Sequence, residues 1–171
     1  MPNNNNAPDK DFVTAANDYC VLIEQIDEYP QSRWLDEMAP ALVRLEASID
    51  RLQVERGLPV PSLSFSDLET RFELFAHLKA VLGELDAYWS EGDLLVSDGY
   101  KTGSLAEDFA DIYTELVRGM MIYEPQGNYR AMAMRLWVSG YRRHWGQHLL
   151  DARKQLVDFR RSSPGGCSLD C

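Results

Sequence analysis

The stretch "GSLAEDFADIYTELVRG", Gly103 to Gly119, decides how the whole chain is read. At about 100° per residue, Leu105, Phe109, Ile112, Tyr113 and Leu116 share one broad face, the mark of an amphipathic helix with a core side. Ser104 and Glu107 form a capping box at its start, placed to cover unpaired amides. Asp108, in the first turn, meets the positive end of the helix dipole. Asp111 and Glu115 have no such local explanation. Like charges one turn apart cost roughly 0.2–0.5 kcal/mol unless a cation lies between them. A neighbouring element must therefore supply positive charge.

Apolar residues recur at helical spacing on both sides of this stretch, and no alternating strand pattern is visible. A first helix, about Asp9 to Asp27, carries Phe12, Ala16, Tyr19, Cys20, Ile23 and Ile26 on one stripe and ends at Pro30. A second runs from about Ser32 to Glu55, where Pro40 is expected to kink it or split it in two. After "RGLPVPS", Ser66 and Glu69 form another capping box. The helix they open runs through Phe72, Phe75, Leu78 and Leu82 to about Trp89, with His77 read as a structural residue among apolar neighbours. "SEGDLLVSDGYKT", Ser90 to Thr102, is a long loop, and "EPQGN" leads to the last and longest helix, about Tyr129 to Arg160. The expected fold is all-α: a single-domain bundle of about five helices, with the long C-terminal helix antiparallel to the preceding one. It occupies residues 9–161, between a disordered lead-in, 1–8, and a disordered tail, 162–171.

Bulk properties narrow the function classes. The 171 residues are 45% hydrophobic and 26% charged, an ordinary globular balance. No apolar run approaches the roughly 20 residues that span a bilayer. "MPNNNNAPDKD" has neither the basic start nor the apolar centre of a secretory signal, so a cytoplasmic protein without a membrane partner is expected. A net charge of −10 argues against nucleic acid as a partner. The charge is uneven: residues 130–161 hold eight Arg or Lys against Asp151 and Asp158. A basic last helix on an acidic body implies internal pairing first, then an acidic protein partner. Cys20 reads as a small core residue; Cys167 and Cys171 lie in a Ser-, Gly- and Pro-rich tail without the spacing of a lipidation signal.

The last helix carries Met134, Trp137, Val138, Tyr141, Trp145, Leu149, Ala152, Leu156 and Phe159 as its core stripe. "HWGQH" puts His144 and His148 one turn apart, with Gly140 and Gly146 leaving room for a close approach. In an antiparallel hairpin of equal rise, Glu115 faces Arg135, Asp111 faces Gly140 to Arg143, and Asp108 faces Arg142 to His144. Two readings follow. In the first, an ionic clamp, Asp111 and Glu115 pair with arginines of the last helix, His144 donates to Asp108, and His148 packs as a core imidazole. In the second, His144 and His148 share a divalent metal with Asp108, Asp111 or Glu115, and the ion activates water for hydrolysis.

The clamp is the preferred reading. It implies a non-enzymatic interaction or regulatory module without catalytic residues or cofactor. Its candidate functional surface comprises Asp108, Asp111, Tyr113, Glu115, Arg142, Arg143, His144 and Trp145, and a protein partner would meet the basic edge of the last helix or the Ser90–Thr102 loop. The alternatives are a metal-assisted hydrolase using Asp108, Asp111, Glu115, His144 and His148, and a small-molecule sensor with a pocket between the hairpin helices.

Four stretches resemble a bacterial family known as domain of unknown function 5063. They are Tyr19 to Glu24 against "EYC..LE", Leu82 to Tyr88 against "FGE.D.Y", Ser104 to Val117 against "SISEDLADIYQDIK", and His144 to Gln147 against "HWGQ". Asp108, Asp111, Tyr113, His144 and Trp145 match its motifs. The resemblance implies an all-α bundle in a bacterial cytoplasm and brings no reaction, cofactor or partner with it.

Overall fold

A computed structural model describes residues 7–52, 54, 68–89, 102–127 and 129–162. Among them the chain forms α1 (Ala7–Glu24), a 3-10 turn (Ile26–Glu28), α2 (Gln31–Ile49) and α3 (Leu68–Leu82), followed by a second 3-10 turn (Gly83–Leu85). Two-residue strands β1 (Ala87–Tyr88) and β2 (Gly103–Ser104) then precede α4 (Leu105–Ile122). The last rod is α5 (Arg130–Gly140), a π-helical turn (Tyr141–Trp145) and α6 (Gly146–Ser162) in unbroken succession. The all-α class is as the periodicity indicates. Residues 1–6 of the expected lead-in, the Ser66 half of the second capping box, most of the Ser90–Thr102 loop and the Cys167/Cys171 tail lie outside the described residues, while Ala7 and Pro8, assigned to the lead-in, belong to α1.

The central element is α4, which packs on α1, α3, α5 and α6. Leu105, Ala106, Phe109, Ala110, Ile112 and Leu116 are all fully enclosed. The stripes read on α1 and on the last rod meet them: Phe12, Ala16, Tyr19, Cys20, Ile23, Trp137, Trp145, Leu149 and Ala152 are buried in one continuous core. Trp137 is its keystone. Its ring lies over Gly119, where any Cβ would collide with it, and 4.9 Å from the Phe12 ring. Its indole N–H donates to the Leu116 carbonyl at 3.1 Å, and its own carbonyl accepts the Trp145 indole N–H at 3.2 Å.

Pro40 does not split the second helix; α2 runs through it without interruption. A proline lacks the N–H that would satisfy the carbonyl four residues back, here that of Asp36. Arg160 of α6 donates to that carbonyl at 3.1 Å, so the defect becomes a contact between helices. α3 stops at Leu82, short of the expected Trp89, because Gly83 takes a positive φ of 56° and Gln31 of α2 donates to the Val81 and Leu82 carbonyls. The short β1–β2 pair is a local departure from the all-helical expectation. His77 is not among apolar neighbours: it is half-exposed and 2.9 Å from Asp27.

Cys20 is enclosed between α1 and its neighbours, and burial pushes its thiol up to about 12. In a Cys167→Ser/Cys171→Ser background, the native protein should therefore resist a thiol reagent at pH 8 and react fully once unfolded. Rapid native labelling would contradict this packing.

Candidate functional site: a carboxylate–imidazole cluster between three helices

The site is assembled at the start of α4. Ser104 caps that helix as its sequence suggests, its hydroxyl accepting from the Glu107 amide at 3.2 Å. The Glu107 side chain turns instead toward Arg71, 4.0 Å away. Asp86 supplies the rest of the cap. Its carboxylate accepts the Ala106 amide and the Ser104 hydroxyl, both at 2.8 Å, while its carbonyl accepts the Leu105 amide at 2.9 Å. The β1–β2 pair holds Asp86 in position and sets Tyr88 against Gly103, close enough that no Cβ would fit there.

From this anchored end Asp108 and Asp111 project toward α6, both less than one-tenth exposed. The Tyr88 hydroxyl donates to Asp108 Oδ2 at 2.6 Å, and His148 Nδ1 lies 2.8 Å from Asp108 Oδ1. The other ring nitrogen of His148, Nε2, lies 3.3 Å from Asp111 Oδ2. Arg71, on α3, donates to Asp111 Oδ1. One turn along, Glu115 pairs with Arg118 at 3.2 Å and lies 3.6 Å from His144 Nδ1. The two imidazoles meet edge to face at 5.0 Å.

Electrostatics follow from this geometry. The hydrogen bond to Asp108 raises the His148 pKa above its ordinary value, against the lowering effect of burial, and Asp111 adds to the rise. Burial raises the Asp108 carboxyl despite the opposing hydrogen bonds from His148 and Tyr88. The hydrogen bond to Asp111 likewise strengthens the charged form of Arg71. The direction of the shift at His148 favours its charged form, set beside carboxylates whose own burial is costly.

The cluster unites Asp108, Asp111, Glu115, His144 and His148, but not in the expected pairs. Arg71 and Arg118 serve the carboxylates, rather than arginines of the last rod. His148, not His144, contacts Asp108. Arg153 instead pairs with Glu46 of α2, and Arg135 is no partner of Glu115. Two displacements act in one direction. Helical side chains lean toward their own N-terminus, so antiparallel neighbours meet further along both chains than equal rise implies. The π turn adds one residue.

The remaining candidates lie elsewhere. Tyr113 reaches α1, donating to Glu24 at 2.8 Å, and Trp145 is in the core. Arg142 and Arg143 are exposed on the outer face of the last rod. Gly140 accommodates Glu115 and the Trp145 ring. Gly146 permits the π turn: its amide bonds to the Tyr141 carbonyl, and a Cβ there would stand 2.4 Å from that oxygen. Arg71, Asp86 and Tyr88 were not foreseen as site residues. Asp86 and Tyr88 stand in the stretch compared with "FGE.D.Y", a usable signal; Arg71 had none.

An all-α bundle with a buried ion cluster at the junction of α3, α4 and α6 is the class defined by these features. The chain belongs to the family described as domain of unknown function (DUF5063), whose model matches residues 4–162. It is similar in fold to protein BF1032 from Bacteroides fragilis, known from a crystal structure. The two share 23% identity over 95% of this chain and 97% of that one, with a TM-score of 0.72. No curated protein matches the chain. No helix among the described residues is long and apolar enough to cross a membrane.

Proposed function

We propose that the protein is a non-enzymatic interaction module of the cytoplasm whose last rod docks an acidic amphipathic helix of a protein partner. One observation carries this reading. Gln147, Leu150, Lys154, Val157 and Arg161 of α6 are all exposed and recur at alternating intervals of three and four residues. That is the spacing by which one helix presents a continuous seam to another. Leu150 and Val157 are 47% and 45% exposed, enough to form an apolar strip bordered by cations. The inner edge of the rod is already occupied internally: Arg130, Arg153 and Arg160 pair with Asp9, Glu46 and Asp36. Positive charge at Arg142, Arg143 and Arg161 is left facing outward, and an acidic helix complements it.

The ion cluster supports this role by fixing α6 against α4, so the seam is presented by a rigid element. The test is capture of partners from lysate, followed by binding measured with the purified partner. Arg143→Glu/Leu150→Asp, with both changes on exposed positions, should fold normally and lose affinity by at least about tenfold, near 1.4 kcal/mol. Weakening by added salt should accompany it. Unchanged affinity in the double variant would reject this surface.

A further inference from the structure

We infer that Asp111, His144 and His148 form a binding site for a zinc-like divalent cation, with Asp108 and Glu115 orienting the two imidazoles. This goes beyond the docking reading and does not depend on it. One ligand atom from each of the three residues falls within 4.8 Å of the others. Donors about 2.0–2.1 Å from a tetrahedral zinc stand about 3.3 Å apart. His148 Nε2 and Asp111 Oδ2 are separated by 3.3 Å. That edge is already set for an ion.

The surroundings are those of a ligand set. His148 Nδ1 faces Asp108 at 2.8 Å, so a metal-bound His148 would keep its proton on Nδ1 and turn its Nε2 lone pair to the gap. Tyr88, on the other Asp108 oxygen, holds that carboxylate in place. His144 repeats the pattern, with Nδ1 3.6 Å from Glu115 and its side chain half-exposed, free to turn toward the gap. Arg71 occupies Asp111 Oδ1 and leaves Oδ2 to coordinate through a single oxygen. Carboxylate-to-imidazole-to-ion relays of this kind orient ligands in many metal sites.

The π turn is the independent observation. It runs from Tyr141 to Trp145 and contains His144, and such turns gather at functional positions in helices. It costs regular hydrogen bonding and requires a glycine at 146, yet it carries an imidazole to the carboxylates of α4. An imidazolium between two carboxylates and a cation held by imidazole and carboxylate are alternative ways to place positive charge in one gap. Three protein ligands leave a fourth position for water, the ligand count of reactive rather than purely structural zinc sites.

The experiment uses tag-free protein in the Cys167→Ser/Cys171→Ser background, stripped with chelator and titrated with zinc chloride by calorimetry. About one zinc per chain should bind, and the melting temperature should rise with zinc concentration. His144→Ala, at a half-exposed position with no core role, should weaken binding at least about tenfold, and His148→Gln likewise. Asp108→Asn, a positioning change, should weaken it by about 10–100-fold while leaving one-to-one stoichiometry. The inference is overturned if no stoichiometric zinc binds, or if the His144→Ala/His148→Gln variant, folded by circular dichroism, binds as tightly as the parent.

Discussion

Asp108→Ala should lower stability by about 3 kcal/mol in urea unfolding, with a fall in melting temperature of roughly 6–12 °C. Removing one partner of a buried ion pair leaves the other desolvated and uncompensated, which is usually worth about 3–5 kcal/mol. The lower end is appropriate because the His148 side chain keeps 24% of its exposure. The buried Tyr88 hydroxyl also loses its acceptor. Asp108→Asn should cost less, since its amide oxygen can still accept from Tyr88 and its NH2 can donate to His148 in the other tautomer. Glu107→Ala, next in sequence and exposed, should fall within about 0.5 kcal/mol of the parent. Equal stabilities for Asp108→Ala and Glu107→Ala would show that the cluster does not hold α6 to α4.

Trp137→Ala should cost about 3–5 kcal/mol, the usual range for emptying a buried aromatic site. The indole fills the space that Gly119 leaves open, touches Phe12 on α1 and lies 5.6 Å from the Tyr123 ring. Little around it can collapse into the void, because Gly119 has no side chain to offer. Trp137→Phe keeps an aromatic contact and loses the bond to Leu116, so it should sit between the parent and the alanine variant. A near-neutral Trp137→Ala in thermal or urea unfolding would mean that α5 is not docked as described.

The parts legible in the sequence were those encoded locally. The core faces of α1, α4 and the last rod repeat every three or four residues, and every residue assigned to the α1 stripe is buried. Ser104 was identifiable as a cap because its partner amide lies three residues away. Asp86 makes the same kind of bond from 20 residues upstream and has no local pattern. Arg71 reaches Asp111 across 40 positions, so only the packing of α3 on α4 reveals it. The continuity of α2 through Pro40 likewise depends on Arg160, 124 residues from Asp36. His77 was misplaced because the apolar residues around it in sequence face other directions once the helix is wound. The two histidines of the last rod were recognised, but the residue each meets could not be, since that depends on a register set by side-chain lean and helix winding.

The widened turn at Tyr141–Trp145 divides the final rod into two phases. One additional residue swings everything beyond it by about 100° relative to an evenly wound helix. Trp137 and Leu149, on either side of it, are both enclosed. A relative whose last rod winds evenly through this point would align with it only across a one-residue gap inside 141–145.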